Sequence, residues 1–74
     1  MEAPRPLDAL NKARGRRVMI DLKNGKTIAG SLNAFDIHIN CVLDNAEEIV
    51  DNEVKKKMGT VFVRGDTILT VSLT

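Results

Sequence analysis

The spacing of apolar residues changes period at Arg16. Before it, Leu7 and Leu10 are placed to share one helix face, with Ala13 nearby. Pro6 suits a first-turn position, Asp8 complements the N-terminal dipole, and Gly15 can end the helix. The pattern predicts a short helix at about 6–13, too short to persist unless it docks on something. From Arg16 onward the period is two. Val18, Ile20 and Leu22 point one way, while Arg17, Asp21 and Lys23 point the other, which reads as a strand with one buried face.

"KNGK" then signals a hairpin. Parity selects its loop. A three-residue turn, Lys23 to Gly25, sets Ile20 opposite Ile28 and Val18 opposite Gly30, and it keeps Leu32 on the apolar face. A two-residue turn would swap faces, so the longer turn is expected, with Gly25 in the left-handed position of a bulge. Gly30 falls in the middle of the second strand, where glycine marks a sharp bend or a close backbone approach. A third strand is expected from roughly His38 to Val50, passing into the acidic run "DNAEEIVDNE". A fourth opens at the lysines of "KKMGTVFVR", and a fifth, "TILTVSLT", follows an Arg-Gly-Asp turn. Helix then five closely spaced strands predicts a small all-β, five-stranded, strongly bent antiparallel open barrel with a short N-terminal α-helix.

Length and composition narrow this further. A 74-residue chain is one domain, spanning 1–74 with the barrel at about 16–73. At this size only roughly 60% of the unfolded surface is buried, so outside support is expected. One cysteine, Cys41, excludes an internal disulfide, and one cysteine with one histidine is too few for a zinc site; no metal or cofactor is expected. Self-association is left. The last two strands are apolar on both faces (Val61, Phe62, Val63; Ile68, Leu69, Val71, Leu73), an edge that invites pairing. A closed ring of copies would remove every edge. Nothing is apolar enough to span a membrane, and "MEAPRPLDAL" lacks a signal-peptide core, so an intracellular, cytoplasmic protein is expected. Residues 1–30 carry seven bases against three acids, and residues 36–54 six acids and no Lys or Arg; two solvated faces are the simpler explanation.

Candidate chemistry sits in two places. Asp36-Ile37-His38-Ile39-Asn40 lies at the passage from the second strand to the third, and Arg64-Gly65-Asp66 at the passage from the fourth to the fifth. In an antiparallel meander these two loops fall at the same end of the sheet and can meet. His38 offers a flat ring and Arg64 a flat guanidinium, between which an unstacked base could lie. The planar amide of Asn40 could match the adjacent acceptor and donor of uracil. Asp36 and Asp66 are better placed to orient Asn40 and Arg64 than to meet phosphate, and Gly65 permits a close backbone approach. Each residue alone also fits an ordinary account: a half-buried histidine, Asx turns, a tight glycine turn. Phe35 and Phe62 read as core. No nucleophile–base arrangement or calcium-loop spacing stands out, so an enzyme is not expected.

The chain resembles the Sm-like (Lsm) proteins, in particular the archaeal type. "RPLDAL" resembles the start of their N-terminal helix, "VMIDLKNGKTIAGSLNAFDIHINCVLDNAEE" their first motif with its mid-strand glycine and aromatic–Asp–x–His–x–Asn core, and "GTVFVRGDTILTVS" their second. Ile39 stands where methionine is common, and Cys41 where an aliphatic residue is usual. The resemblance implies the Sm fold and rings, typically heptamers, joined by pairing the fourth strand of one copy with the fifth of the next. It implies uridine-rich single-stranded RNA bound at the pore, in RNA processing or metabolism. Carried across, His38 and Arg64 would stack the base, Asn40 would read its edge, Asp36 and Asp66 would position those groups, and Gly65 would shape the loop. Contacts near the helix in some members make Arg5 a candidate too. The competing expectation is a protein-interaction or assembly module on the same barrel, binding RNA without base preference.

Overall fold

In the computed structural model, residues 5–74 are described. The stretch read for a leader therefore lies partly outside them. Helix α1 (Pro6–Lys12) precedes β1 (Arg17–Leu22), β2 (Thr27–Phe35), β3 (Cys41–Val50), β4 (Glu53–Val63), a single 3₁₀ turn at Gly65–Thr67, and β5 (Ile68–Leu73). Asp8 closes the first turn of α1 by accepting from the Arg5 guanidinium at 3.0 Å and 3.2 Å. The helix itself buries no residue; it docks through Leu10 and through Ala13 just past its end.

The β1–β2 hairpin has the predicted register: Ile20 faces Ile28, and Val18 faces Gly30. Gly25 takes φ +88°, and its N–H bonds the Leu22 carbonyl at 3.0 Å, as a bulged three-residue turn requires. Gly30 is not alone at the bend. The β2–β3 register shifts between Ala29 and Ser31, and the β3–β4 register shifts around Ala46. Asn45 (φ 50°) and Gly59 (φ 72°) take left-handed conformations at the same level. Three neighbouring strands thus turn along one line, and the sheet curls around a core of Val18, Ile20, Leu22, Ile28, Leu32, Cys41, Leu43 and Val63. Among the described residues no polar side chain is fully buried, so burial of apolar surface holds this core.

Four expectations need correction. The third strand starts at Cys41, not His38: the Asp36 carboxylate captures the backbone N–H groups of His38 and Asn40, which a ladder would otherwise use. The fourth strand starts at Glu53, two residues before the lysines, because Asp51 and Asn52, both at positive φ (52° and 65°), make a two-residue turn inside the acidic run. The sheet is not a meander. Its order is β4-β3-β2-β1-β5, so β5 leaves β4 and pairs with β1, Val71 opposite Ile20 and Leu73 opposite Val18. The curl of the sheet makes this crossing short, and it leaves β4 and β5 each with one unpaired edge. Finally, Phe62 is not core. It is 82% exposed on the outer face of β4, whereas Phe35 packs against the core as expected.

The charge asymmetry along the sequence resolves into contacts between strands. Arg17 bonds Glu47, Lys26 lies 3.9 Å from Glu48, and Glu47 and Glu48 stand opposite Lys57 and Lys56. These exposed pairs contribute little each, but they explain how so polar a segment can be a strand.

Candidate functional site

The loop from Asp36 to Asn40 is organised by one carboxylate. Asp36 Oδ1 accepts from the His38 N–H at 2.8 Å and the Asn40 N–H at 3.2 Å, and its Oδ2 accepts from Asn40 Nδ2 at 3.0 Å. The Asn40 amide, then the His38 backbone N–H, holds the Asp36 carboxyl below the usual carboxylate range. The turn is closed by Ile39 N–H to the Asp36 carbonyl at 3.0 Å, and this forces Ile39 to φ 61°. A β-branched residue in that region carries strain, of order 1–3 kcal/mol. Cys41 follows with its thiol buried, donating to the Ile39 carbonyl at 3.2 Å; burial, then the charge of Asp36, pushes the thiol pKa up.

The second loop is a tight turn. The Thr67 N–H and hydroxyl both donate to the Arg64 carbonyl, at 3.0 Å and 2.6 Å. The Arg64 guanidinium donates to Asp66 at 3.2 Å, with both side chains largely exposed. Although the sheet is no meander, its curl brings this turn against the first loop. The Gly65 N–H donates to Asn40 Oδ1 at 2.7 Å. Gly65 packs so closely that a Cβ there would overlap the His38 carbonyl oxygen and lie 2.9 Å from the carbonyl carbons of His38 and Ile39. Glycine is required here by the approach, not by φ.

Five of the six predicted residues, His38, Asn40, Arg64, Gly65 and Asp66, line one open cleft of about 420 Å³. Asp36 lies beside it, bonded to the Asn40 amide, and lines an adjoining apolar cleft with Phe62. The orientation of Asn40 is fixed without ambiguity. An acceptor-only carboxylate meets its nitrogen, and a donor-only N–H meets its oxygen. One Nδ2–H and one lone pair on Oδ1 remain for anything in the cleft. Sequence reasoning missed Thr67, whose hydroxyl follows an ordinary turn signal, and the left-handed Ile39, for which the sequence carries no signal. Among the described residues no cluster of His, Cys, Asp or Glu is arranged to hold a metal ion.

Comparison with known proteins gives a consistent result. A family model of the LSM domain matches residues 8–73. An Sm-like protein of Archaeoglobus fulgidus is 49% identical over 69 residues, covering 93% of this chain and 90% of that protein. The Pyrococcus abyssii Sm protein, solved in complex with a uridine heptamer, matches with a TM-score of 0.91 at 42% identity, over 96% of this chain and 100% of that one. The SmAP1 heptamer of P. aerophilum matches with a TM-score of 0.90 at 36% identity, over 99% and 97% of the two chains. Motifs, five-stranded bent sheet and relatives agree along nearly the whole length: the chain belongs to the LSM domain family of Sm-like proteins.

Proposed function

We propose that the protein is a ring-forming RNA-binding scaffold that holds uridine-rich single-stranded RNA at the pore and acts in RNA processing or metabolism. The observation that carries this reading is the Gly65–Asn40 hydrogen bond, which fixes the Asn40 amide in a cleft that two exposed flat groups, His38 and Arg64, also line. A base slides between ring and guanidinium, where stacking contributes about 1–3 kcal/mol per base. The remaining Nδ2–H of Asn40 donates to the uracil O4, and its remaining lone pair accepts from N3–H. Cytosine reverses both partners, setting donor against donor and acceptor against acceptor. Because Asp36 and Gly65 prevent the amide from flipping, it cannot adapt. A relative at 42% identity is solved with a uridine heptamer, which supports the same ligand here.

The ring follows from the two free edges. Val54 and Phe62 on β4, and Leu69 and Leu73 on β5, are at least half exposed. Pairing β4 of one copy with β5 of the next covers them, and a head-to-tail contact closes into a ring when its rotation permits. The solved heptamer of a relative supports closure. No catalytic role is assigned: the one thiol is buried with a raised pKa, which disfavours the thiolate. The cytoplasm is proposed as the working site; as a separate fact, no helix among the described residues is long and apolar enough to cross a membrane.

Fluorescence anisotropy of labelled oligouridine and oligocytidine at moderate salt tests this, with native mass measured in parallel. Oligouridine should bind at least about tenfold more tightly, and Asn40→Ala and Arg64→Ala should each lose about tenfold or more, a difference of roughly 1.4 kcal/mol. Full affinity in both variants, with rings intact, would remove the pocket. Equal, steeply salt-dependent binding of both oligonucleotides would point instead to an assembly module without base preference.

A further inference from the structure

The proposed base site lacks a cation for the RNA backbone. Two carboxylates, Asp36 and Asp66, stand around it against one guanidinium, Arg64, which Asp66 already engages at 3.2 Å. Asp36 is held below the usual carboxylate range, so it stays ionised at neutral pH. These three groups together carry one net negative charge. Stacking and edge reading hold a base, but each nucleotide also brings a phosphate, and the one guanidinium of the two loops is shared with Asp66.

A third loop adjoins the Arg-Gly-Asp turn. The β1–β2 turn is tied to the Arg-Gly-Asp turn by the Lys23 backbone N–H, which donates to the Thr67 carbonyl at 2.7 Å. Thr67 in turn bonds the Arg64 carbonyl through both its N–H and its hydroxyl. The next residue, Asn24, lines a cleft together with Arg64 and Thr67. Lys23 thus starts two hydrogen-bonded links from Arg64. The inward alternation of β1 ends at Leu22, and Lys23 is exposed. It makes no ion pair among the described residues, whereas Lys26 of the same turn lies 3.9 Å from Glu48. Its ammonium is a compact charge on a flexible four-carbon stem.

We infer that Lys23 is an RNA-binding residue of this site, with its ammonium neutralising the backbone phosphate of the nucleotide whose base lies between His38 and Arg64. The inference rests on the RNA-binding reading above and adds to it the missing charge. Phosphate is the same on every nucleotide, so Lys23 adds affinity and salt dependence but no base choice.

The test is a salt series on the intact ring, with labelled oligouridine and oligocytidine, for wild type, Lys23→Gln, Lys23→Arg and, as control, Lys55→Gln on the β3–β4 hairpin. The turn is anchored by the Lys23 backbone, so the side-chain changes leave it in place, and native mass verifies the ring. Lys23→Gln is expected to weaken both oligonucleotides several-fold with their affinity ratio unchanged. The plot of log affinity against log salt should become shallower by about 0.7 for each phosphate no longer neutralised. Lys23→Arg should restore the slope, and Lys55→Gln should leave it alone. A wild-type slope in Lys23→Gln, a changed uridine preference, or an equal effect of Lys55→Gln overturns the inference. A wild-type ring without uridine preference would overturn the proposed function and this inference with it. A wild-type ring that prefers uridine, alongside an unchanged slope in Lys23→Gln, overturns only the role of Lys23.

Discussion

Gly65 is the point at which two sequence-distant loops become one surface. Its N–H fixes Asn40, and its missing side chain is what lets the His38 carbonyl sit against it. Gly65→Ala therefore cannot be absorbed by a rotamer change; backbone must move on one side. It is expected to weaken oligouridine binding at least about tenfold in an anisotropy titration, and to lower stability by about 1–3 kcal/mol in urea denaturation. Undiminished uridine binding by that variant would separate the Gly65 contact from recognition. Asp36 gives a second prediction at this scale. Its folded pKa lies below the ordinary 3.8, because the Asn40 amide and the His38 N–H bond the charged form. The order it confers is thus complete above that ordinary value and lost as pH falls through the lower folded value. The amide signals of His38 and Asn40 should shift together only below about pH 4, a window that follows from this ordering. A joint shift above pH 5 would mean that another group holds the loop. The residue types of this site were legible from the chain, since flat groups, an amide and a glycine fell at matched strand ends. What was not legible is how much of Asn40 is already used. That depends on Asp36 and Gly65 both reaching it, and Gly65 is 25 residues away.

Among the elements, the bend sets everything else. Gly30 faces the neighbouring strand so closely that a Cβ would lie 3.0 Å from the Asp44 carbonyl oxygen, 3.1 Å from Ala46 Cα and 3.2 Å from Leu43 Cβ. Two of these are backbone atoms, which yield less readily than a side-chain tip. Gly30→Val should cost about 1–3 kcal/mol by overpacking, read from urea denaturation, and Gly30→Ala less. A Val variant as stable as wild type would show that Asn45 and Gly59 suffice to turn the sheet. The first hairpin could be placed from parity alone, because its apolar face tolerates one register and Gly25 marks its turn. The second hairpin could not. Its strands are charged where they meet, and Glu47 and Glu48 make sense as strand residues only once Lys57 and Lys56 stand opposite them. A local reading assigns such a stretch to a loop, and the Asp51–Asn52 turn disappears inside it.

At the scale of the whole molecule, a sheet ordered β4-β3-β2-β1-β5 curls without closing, so its last two strands end as its two edges. The sequence showed apolar residues on both faces of those strands, but strand order depends on how far the sheet curls, which no local pattern carries. The exposure of Phe62 follows from that order: on an outer strand, an aromatic with no neighbour faces water. In the proposed ring, with β4 of one copy paired to β5 of the next, it would face the next copy, and a charge placed there would be buried at a repeated interface without a partner. Phe62→Glu is therefore expected to shift the native mass from a closed ring to smaller species. Because β4 pairs inward with β3 through its backbone, the subunit sheet should survive, with the far-ultraviolet circular dichroism of a β protein. RNA binding should fall further than one pocket's loss would explain. Pockets joined in a ring engage a long strand as successive intramolecular events, and separated subunits lose that multiplication. The comparison that isolates this effect is between long and short oligouridine. Wild type should favour the long strand strongly, whereas the separated Phe62→Glu subunits should bind the two alike, since the residues proposed to form the base pocket are unaltered. A variant that breaks the ring yet keeps the full advantage for long strands would mean that the RNA is held by one subunit alone, and that the ring serves some purpose other than binding.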